Sequence, residues 1–548
     1  MNSVVVEALS MAYGYLLTKY EHDCGTCASL MHALTCMTLV EGALGLSLSD
    51  NKDYENAKDM PYEMLQETLS CLNEKTSTRK KRGVYYTPTD VVDFIVTNTV
   101  NMYYKKWDDS RVTNCLEEGI PTKHLWNTLS FFDPTCGAGE FLVGVLRQKI
   151  RCLKATGACL SKETALAIIN TINGNDVNPD SCAIARIRLF LELEHASDLA
   201  TAIVCCEEIV QSVSEIDFVN LPTSYSEEYD IVLGNPPYVE DKEYGPHEDK
   251  YGNIYCNVLA NSKKCLSEGG VLGFIVPLSY ISTPRMKRIR EELSTSLSKQ
   301  CILSFADRPD CLFTQVHQKL CILFAAESSE SVISTSSYTH WYKTERDSLF
   351  KSIPIINNPI ILSGCIPKLG NERDLSIFTK VHDSKQPRLF DISRLGTNTI
   401  CVNRRETFWM KVFRKSMEHP EFKEFHFESQ EDAAFAYCLL SSSLFWWYWI
   451  SVSDCWHVSR TLNDFRMPRN RGAEEFVSLA SELEQKLEQT KKYVGTKQTK
   501  YEYKHSCCVN VIHQIDDRVN ALYGLSGEES EYIKSYALRY RVSKGGKS

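Results

Sequence analysis

The chain has 548 residues, too many for one ordinary hydrophobic core and enough for two or three domains. Its 43% hydrophobic and 24% charged residues are those of a folded globular protein and exclude a disordered or fibrous chain. A formal net charge of -9 excludes binding of polyanions by bulk charge, so any nucleic-acid contact has to come from local basic runs such as Arg79-Lys80-Lys81-Arg82, Arg404-Arg405 and Arg466 to Arg471.

Residues 1–78 are rich in Ala, Leu, Met and Glu with little alternation, which predicts a helical lead-in. Within it, Cys24 and Cys27 lie near His22, His32 and Cys36. No second pair follows at zinc-site spacing, and cysteines three apart share a helix face, so no metal is expected. The 22 cysteines lack the spacing of a disulfide framework and no leader-like segment opens the chain, so the thiols read as reduced and cytoplasmic.

From about residue 83 to 324, short apolar runs alternate with helical stretches: 129–132 then 141–153, 172–176 then 183–193, 230–233, 271–276 and 320–324. Strands apolar throughout, alternating with helices, predict a mostly parallel sheet covered on both faces. Beyond about 330 the alternation fades and Trp, Tyr, Arg and Asn interleave with Pro and Gly, which predicts a second domain. Helical periodicity returns over 473–493 and 508–540. The expected units are therefore 1–78, 79–330, 331–475 and 476–548. Residues 433–453 carry no charge and match a bilayer in length, but the Ser441-Ser442-Ser443 centre and the crowded Trp446-Trp447-Tyr448-Trp449 cluster favour a buried helix, and no membrane partner is expected.

Three motifs carry chemistry. The first runs from Phe131 through Asp133, Pro134, Gly137 and Gly139 to Phe141, an apolar strand entering a Gly-x-Gly turn that opens a helix, where the backbone can approach a ligand closely. The second is Gly174-Asn175-Asp176, an acidic residue ending the next strand, placed to accept hydrogen bonds from ribose hydroxyls. The third is Asp230 to Tyr238, a strand ending abruptly in Asn235-Pro236-Pro237-Tyr238. Proline cannot donate to a ladder and fixes its own φ, so the pair ends the strand in a rigid turn. The Asn235 side-chain carbonyl beside the Pro236 backbone carbonyl offers two acceptors for a planar exocyclic amine, and Tyr238 offers a face for a flat ring.

In this order the motifs resemble the gamma class of amino-methyltransferases of bacterial restriction-modification and related defence systems, most closely over residues 80–325. The resemblance implies an α/β fold: a Rossmann-like class I methyltransferase sheet with helices on both faces, then a C-terminal α+β recognition domain and helical ends. It implies S-adenosylmethionine as cofactor, held by Tyr86, Thr87 and Pro88 of the segment 83–88, by Asp133, Pro134, Gly137, Gly139, Asp176 and Asn235, and by Glu207 as the third acidic position. It implies catalysis by Asn235, Pro236, Pro237 and Tyr238, with Phe313 packing on the other face of a flipped base.

Double-stranded DNA is the implied partner, met by the second domain through His457, Arg460, Arg466 and Arg469. The implied activity is methyl transfer to adenine N6. Cytosine N4 fits the same acceptors, and protein glutamine or an RNA base are further readings. With about 78 residues ahead of the cofactor segment, small against a typical domain, the chain is expected to methylate without cutting, which leaves room for a separate restriction or defence subunit.

Overall fold

The computed structural model describes residues 3–20, 24–38, 52–72, 86–221, 225–247, 249–313, 316–383, 385–393, 396–417, 419–468, 473–495 and 501–542. At its centre lies a nine-stranded sheet: β1 (Phe131–Asp133), β2 (Ile172–Asp176), β3 (Val213–Glu215), β4 (Tyr229–Gly234), β5 (Leu266–Pro277), β6 (Lys299–Phe305), β7 (Leu320–Ala326), β8 (Val332–Thr339) and β9 (Ile356–Asn357). Their order across the sheet is β9-β8-β6-β7-β5-β4-β1-β2-β3. Strands β1 to β5 pair in parallel, and β7 inserts antiparallel between β5 and β6. The order reverses at β1, so the ends of β1, β2 and β4 border one crevice, where open parallel sheets hold ligands.

The apolar runs read as strands coincide with β1, β2, β4, β5 and β7. The sheet continues past residue 330, because β8 pairs in parallel with β6 and β9 pairs with β8. A boundary at 330 therefore falls inside the sheet. The reason is compositional: β8, Val-Ile-Ser-Thr-Ser-Ser-Tyr-Thr, is rich in small hydroxyl side chains rather than aliphatic ones, yet most of it is buried.

Helices cover both faces. On the N-terminal side are α1 (Ser3–Lys19), α2 (Tyr62–Cys71), α3 (Thr89–Tyr103), α4 (Glu140–Ala155) and α5 (Pro179–Ala196). Asn178 caps α5, its side chain accepting from Asp180 N, and Pro179 occupies the first turn, where its missing N–H costs nothing. Helix α5 is buried nearly all round, including Arg186, Arg188, Glu192 and Glu194. Buried charges require partners, and the lead-in helices supply them: Lys19 Nζ and the Tyr20 hydroxyl reach Glu194 at 2.6 and 2.5 Å.

The C-terminal part contains α6 (Glu372–Val381), a small sheet of β10 (Asn398–Asn403), β11 (Val412–Phe413) and β12 (Phe422–Phe427), then α7 (Gln430–Ser441), α8 (Ser443–Val452), α9 (Ala473–Gln489), α10 (Val509–Leu522) and α11 (Gly527–Ser535). Ser429 and Ser442 cap α7 and α8 through their side chains. The Trp-rich α8 is buried on every face. No single helix among the described residues is long and apolar enough to cross a membrane; α7 and α8 together pass that test but are bent by 61°.

Asp374 of α6 ties these pieces together. Its carboxylate accepts from Ser337 Oγ of β8 (2.6 Å), Gly370 N (2.9 Å), Trp447 Nε1 of α8 (3.3 Å) and the Tyr532 hydroxyl of α11 (2.7 Å). The central sheet, the 331–475 region and the C-terminal helices thus converge on one carboxylate.

Candidate functional site: a glycine turn beside an Asn-Pro-Pro-Tyr loop

The parallel strands deliver their carboxyl ends, and with them the chemistry-bearing residues, to one edge. After β1, Pro134 is buried and the chain turns through Gly137 and Gly139, whose φ values of 56° and 88° lie in the left-handed region that side chains resist. The turn is held from the neighbouring strand. Asp176 at the end of β2 accepts from Gly137 N at 3.0 Å through one oxygen and from Asn178 N at 2.8 Å through the other.

Asp133 is only 1% exposed and accepts from Thr135 N at 3.0 Å. Burial pushes its carboxyl well above the usual range, and the nearby Glu140 and Asp176 push it further. The Thr135 hydroxyl is itself buried with no hydrogen-bond partner among the described residues. Three carboxyls and an unsatisfied hydroxyl around one glycine turn suit a cationic ligand bearing hydroxyls, which would draw the Asp133 carboxyl back towards its ionised form.

Strand β4 runs directly beside this turn. A Cβ on Gly234 would stand 2.5 Å from Asp133 Oδ1, so the strand ends beside the carboxyl only because Gly234 has no side chain. Asn235 follows, its Nδ2 donating to the buried Thr87 Oγ1 at 3.0 Å. Thr87 and Pro88 lead into α3, with Pro88 in the capping position. Tyr86, just before them, has its hydroxyl shifted upward by burial. The described part of segment 83–88 therefore lies against the Asn-Pro-Pro-Tyr loop, as its assignment to the same site requires; residues 83–85 lie outside the described residues, as do Arg79 to Arg82, Arg469 and Arg471.

Pro236 is buried and Pro237 half-buried. The half-buried Tyr238 turns its hydroxyl inward, donating to Asn235 Oδ1 (2.6 Å) and reaching the Ile275 carbonyl of β5 (3.0 Å).

Two expected residues fall elsewhere. Glu207 sits exposed on a short helix, Cys206–Ser212, accepting from Gln211 Nε2 at 3.4 Å. The apolar run before it, Ile203-Val204-Cys205-Cys206, is no strand: it joins the end of the helix Leu199–Val204, capped by Asp198, to the start of Cys206–Ser212. The acidic residue that follows β3 is Asp217, which accepts from the Tyr244 hydroxyl (2.7 Å), Val219 N (3.1 Å), Asn220 N (3.3 Å) and Asn220 Nδ2 (2.9 Å). Burial raises its pKa, but the bonds from Asn220 and Tyr244 outweigh burial and hold the carboxyl below its usual range. Asp133 and Asp176 end their strands, whereas Asp217 lies two residues beyond β3, whose last residue is the exposed Glu215, so strand-end position alone does not mark it. Phe313, expected to face a base, is 1% exposed and packed into the core.

In the C-terminal part, His457 is exposed and pairs with Asp454 at 2.7 Å. Arg460 donates to the Ser282 carbonyl at 2.8 Å and Arg466 to the Gln386 carbonyl at 3.0 Å, so both basic side chains also brace the fold. Among the described residues no group of His, Cys, Asp and Glu is placed to hold a metal. The side chains of Cys24 and Cys27 lie outside the described residues.

Residues 170–311 match the Eco57I restriction-modification methylase family. Over 163 residues the chain is 26% identical to the adenine-specific methyltransferase PglX of Streptomyces coelicolor, a match covering 29% of this chain and 12% of that protein. Over 266 residues it is 23% identical to the type II methyltransferase M.VspI of Vibrio sp. (strain 343), covering 45% and 51%. These matches span at most about half the length of the curated relatives. Among solved structures, the type IIL restriction-modification enzyme MmeI in complex with DNA superposes with a TM-score of 0.54 at 11% identity, covering 98% of this chain and 99% of that one. The α/β fold is thereby shared along nearly the whole chain, and the resemblance read from the motifs coincides with the family matched.

Proposed function

We propose that this chain is a DNA methyltransferase that transfers a methyl group from S-adenosylmethionine to N6 of an adenine rotated out of the duplex, in a restriction-modification or related defence setting. The observation that carries the reading is the juxtaposition of Asn235 and the glycine turn: Gly234 packs on Asp133 while Asn235 is fixed by Thr87. Two amine acceptors and a cofactor turn thus lie side by side. Adenine rather than cytosine is chosen because a relative 26% identical over 163 residues is named adenine-specific.

The cofactor fits the residues present. Gly137 leaves room for its close approach while Gly139 lets the turn pack on Ala185 of α5, Asp176 lies where ribose hydroxyls are held in such sheets, and the carboxyls of Asp133 and Glu140 suit its positive charge. When bound, it supplies an electrophilic methyl on a sulfonium with a neutral leaving group. The chain's contribution is positioning: Asn235 Oδ1 and the Pro236 carbonyl accept the two amine N–H groups and return electron density to a nitrogen whose lone pair is otherwise delocalised into the ring. Tyr238 offers a stacking face. The burial of Phe313 leaves the second face of the base to other residues or to a rearrangement on DNA binding.

The test is incubation with tritiated S-adenosylmethionine and duplex DNA, followed by nucleoside chromatography. Label in N6-methyladenine is the expected outcome. Label in N4-methylcytosine would reassign the base, and no label in DNA would overturn the reading.

A further inference from the structure

Behind the glycine turn lies a buried polar network that joins the lead-in helices to the cofactor edge. Its hub is Arg188 of α5, 5% exposed. One arm, Nη1, donates to the Ala138 carbonyl within the turn at 2.7 Å and lies 3.3 Å from Glu140 Oε1. Nε donates to Gln66 Oε1 of α2 at 2.9 Å. Gln66, 3% exposed, also returns two bonds from its amide, to the Arg188 carbonyl at 3.1 Å and to the Tyr62 hydroxyl at 2.8 Å. Tyr62 in turn donates to Glu192 at 2.7 Å, and Glu192 accepts from Arg147 of α4 at 2.9 Å.

Helices α2, α4 and α5 are thus locked together at the root of the turn. The field of Arg188 also reaches Tyr86 in the described part of segment 83–88.

A guanidinium has a planar fork whose geometry is set by whatever holds it. Here Gln66 holds Nε, which fixes the direction of Nη1 towards the Ala138 carbonyl and the Glu140 carboxylate. The Ala138 carbonyl belongs to the backbone of the turn itself, and the other Glu140 oxygen lies beside Gly137, 3.7 Å from where a Cβ would stand. Without Gln66 the fork could rotate, the Ala138 carbonyl would lose its donor, and the Glu140 carboxylate would lose its counter-charge.

We infer that Gln66 and Arg188 are positioning residues for cofactor binding, and that the helical segment ahead of the catalytic sheet sets cofactor affinity through them. This rests on reading the glycine turn as the cofactor site.

The experiment uses the full chain, with Gln66→Leu and Arg188→Lys, measuring S-adenosylmethionine affinity by calorimetry, kcat and KM on duplex DNA, and thermal melting. Gln66→Leu is expected to weaken cofactor affinity about tenfold, the equivalent of one lost hydrogen bond. Its kcat at saturating cofactor should stay within about twofold of wild type, since the amine acceptors are untouched. Arg188→Lys, which keeps charge but loses the fork, is expected to do at least as much. If Arg188→Lys loses cooperative melting, Gln66→Leu alone decides. A lowered melting temperature with cofactor affinity unchanged in Gln66→Leu would reduce the network to a structural role and overturn the inference. Wild-type chain that fails to bind S-adenosylmethionine would overturn the reading of the site itself, and the inference with it.

Discussion

The Tyr238 hydroxyl lies 2.6 Å from Asn235 Oδ1, the same oxygen that the proposed mechanism assigns to the target amine. The loop therefore satisfies its own acceptor. Asn235 is half-buried, so leaving its oxygen bare would cost up to about 1–3 kcal/mol, and the tyrosine acts as a placeholder that the entering base must displace. With Asn235 Nδ2 on Thr87 and Oδ1 on Tyr238, the amide is held at both ends and its orientation is fixed before any substrate arrives.

Asn235→Ala removes one of two acceptors at the reacting nitrogen. Methyl transfer should fall about 10²- to 10³-fold, as for other single donors or acceptors aligned on developing charge. Cofactor affinity should fall less than in Asp176→Ala, because Asn235 is one expected cofactor contact among several whereas Asp176 also braces the glycine turn. Single-turnover methylation and calorimetry on the same preparation check the split, and near-normal turnover would sink the mechanism.

Asp176→Ala should show the opposite split. Its two oxygens hold Gly137 N and Asn178 N, so the substitution loosens the turn as well as removing the proposed ribose acceptor. Cofactor KM should rise at least tenfold, while kcat at saturating cofactor falls less. A variant with normal cofactor affinity would remove Asp176 from the site.

Tyr238→Phe keeps the stacking face and removes the placeholder hydroxyl. If the hydroxyl competes with the entering base, the phenylalanine variant should extrude the target base more readily than wild type, read as brighter 2-aminopurine fluorescence at the target position. Tyr238→Ala, lacking the face, should extrude it less readily, and a mismatch opposite the target should restore part of the loss. Equal fluorescence for Tyr238→Phe and wild type would mean that the hydroxyl imposes no barrier.

Strands β1 and β4 were readable in the sequence because Phe131-Phe132 and Ile231-Val232-Leu233 are apolar, as in a sheet covered on both faces, and because they end in Asp133-Pro134 and Asn235-Pro236-Pro237; β2, Ile-Asn-Gly-Asn-Asp, is mostly polar and was marked by Gly174 and its terminal Asp176 instead. Asp217 was hidden because β3 is short and polar, Val-Ser-Glu, whereas the nearby Ile203-Val204-Cys205-Cys206 looks more like a strand and instead joins two helices. Local propensity lost to tertiary packing there. Burial was the second blind spot. Nothing in the sequence around Phe313 separates a core phenylalanine from a stacking one; nor does it show that the exposed Arg460 and half-buried Arg466 also bond backbone carbonyls 178 and 80 residues away.

Asp374→Ala should destabilise the whole chain rather than the active edge alone. The substitution would leave the Ser337, Gly370, Trp447 and Tyr532 donors without their common acceptor in the interior. Each stranded buried donor costs about 1–3 kcal/mol, partly recovered by relaxation, so a total loss of about 3–5 kcal/mol is expected. Asp374→Asn keeps an acceptor and should lose less. Urea denaturation checks the ranking, and an alanine variant within about 1 kcal/mol of wild type would contradict the packing role of this carboxylate.

Glu406 supplies a pH test. Its side chain is fully buried in the loop after β10, one oxygen accepting from Lys411 N at 2.8 Å, the other 3.7 Å from Lys411 Nζ and without a hydrogen-bond donor. Burial raises its pKa from 4.5 to about 8, with Lys411 opposing the shift only in part. The carboxyl is thus more easily protonated in the folded chain than in the unfolded one. Its stabilising contribution is complete below about pH 4.5 and is lost as pH rises towards and through 8, at up to about 1.4 kcal/mol per pH unit. Glu406→Gln, permanently neutral and similar in shape, removes that dependence. Compared at the same pH, the glutamine variant should match wild type near pH 4 and become progressively more stable than it as pH rises through 5 towards 8, the difference levelling off beyond. Because other titrating groups are common to both chains, they cancel in the difference. A difference that stays constant from pH 5 to 8.5 would mean that Glu406 is ionised throughout and that Lys411 compensates its burial.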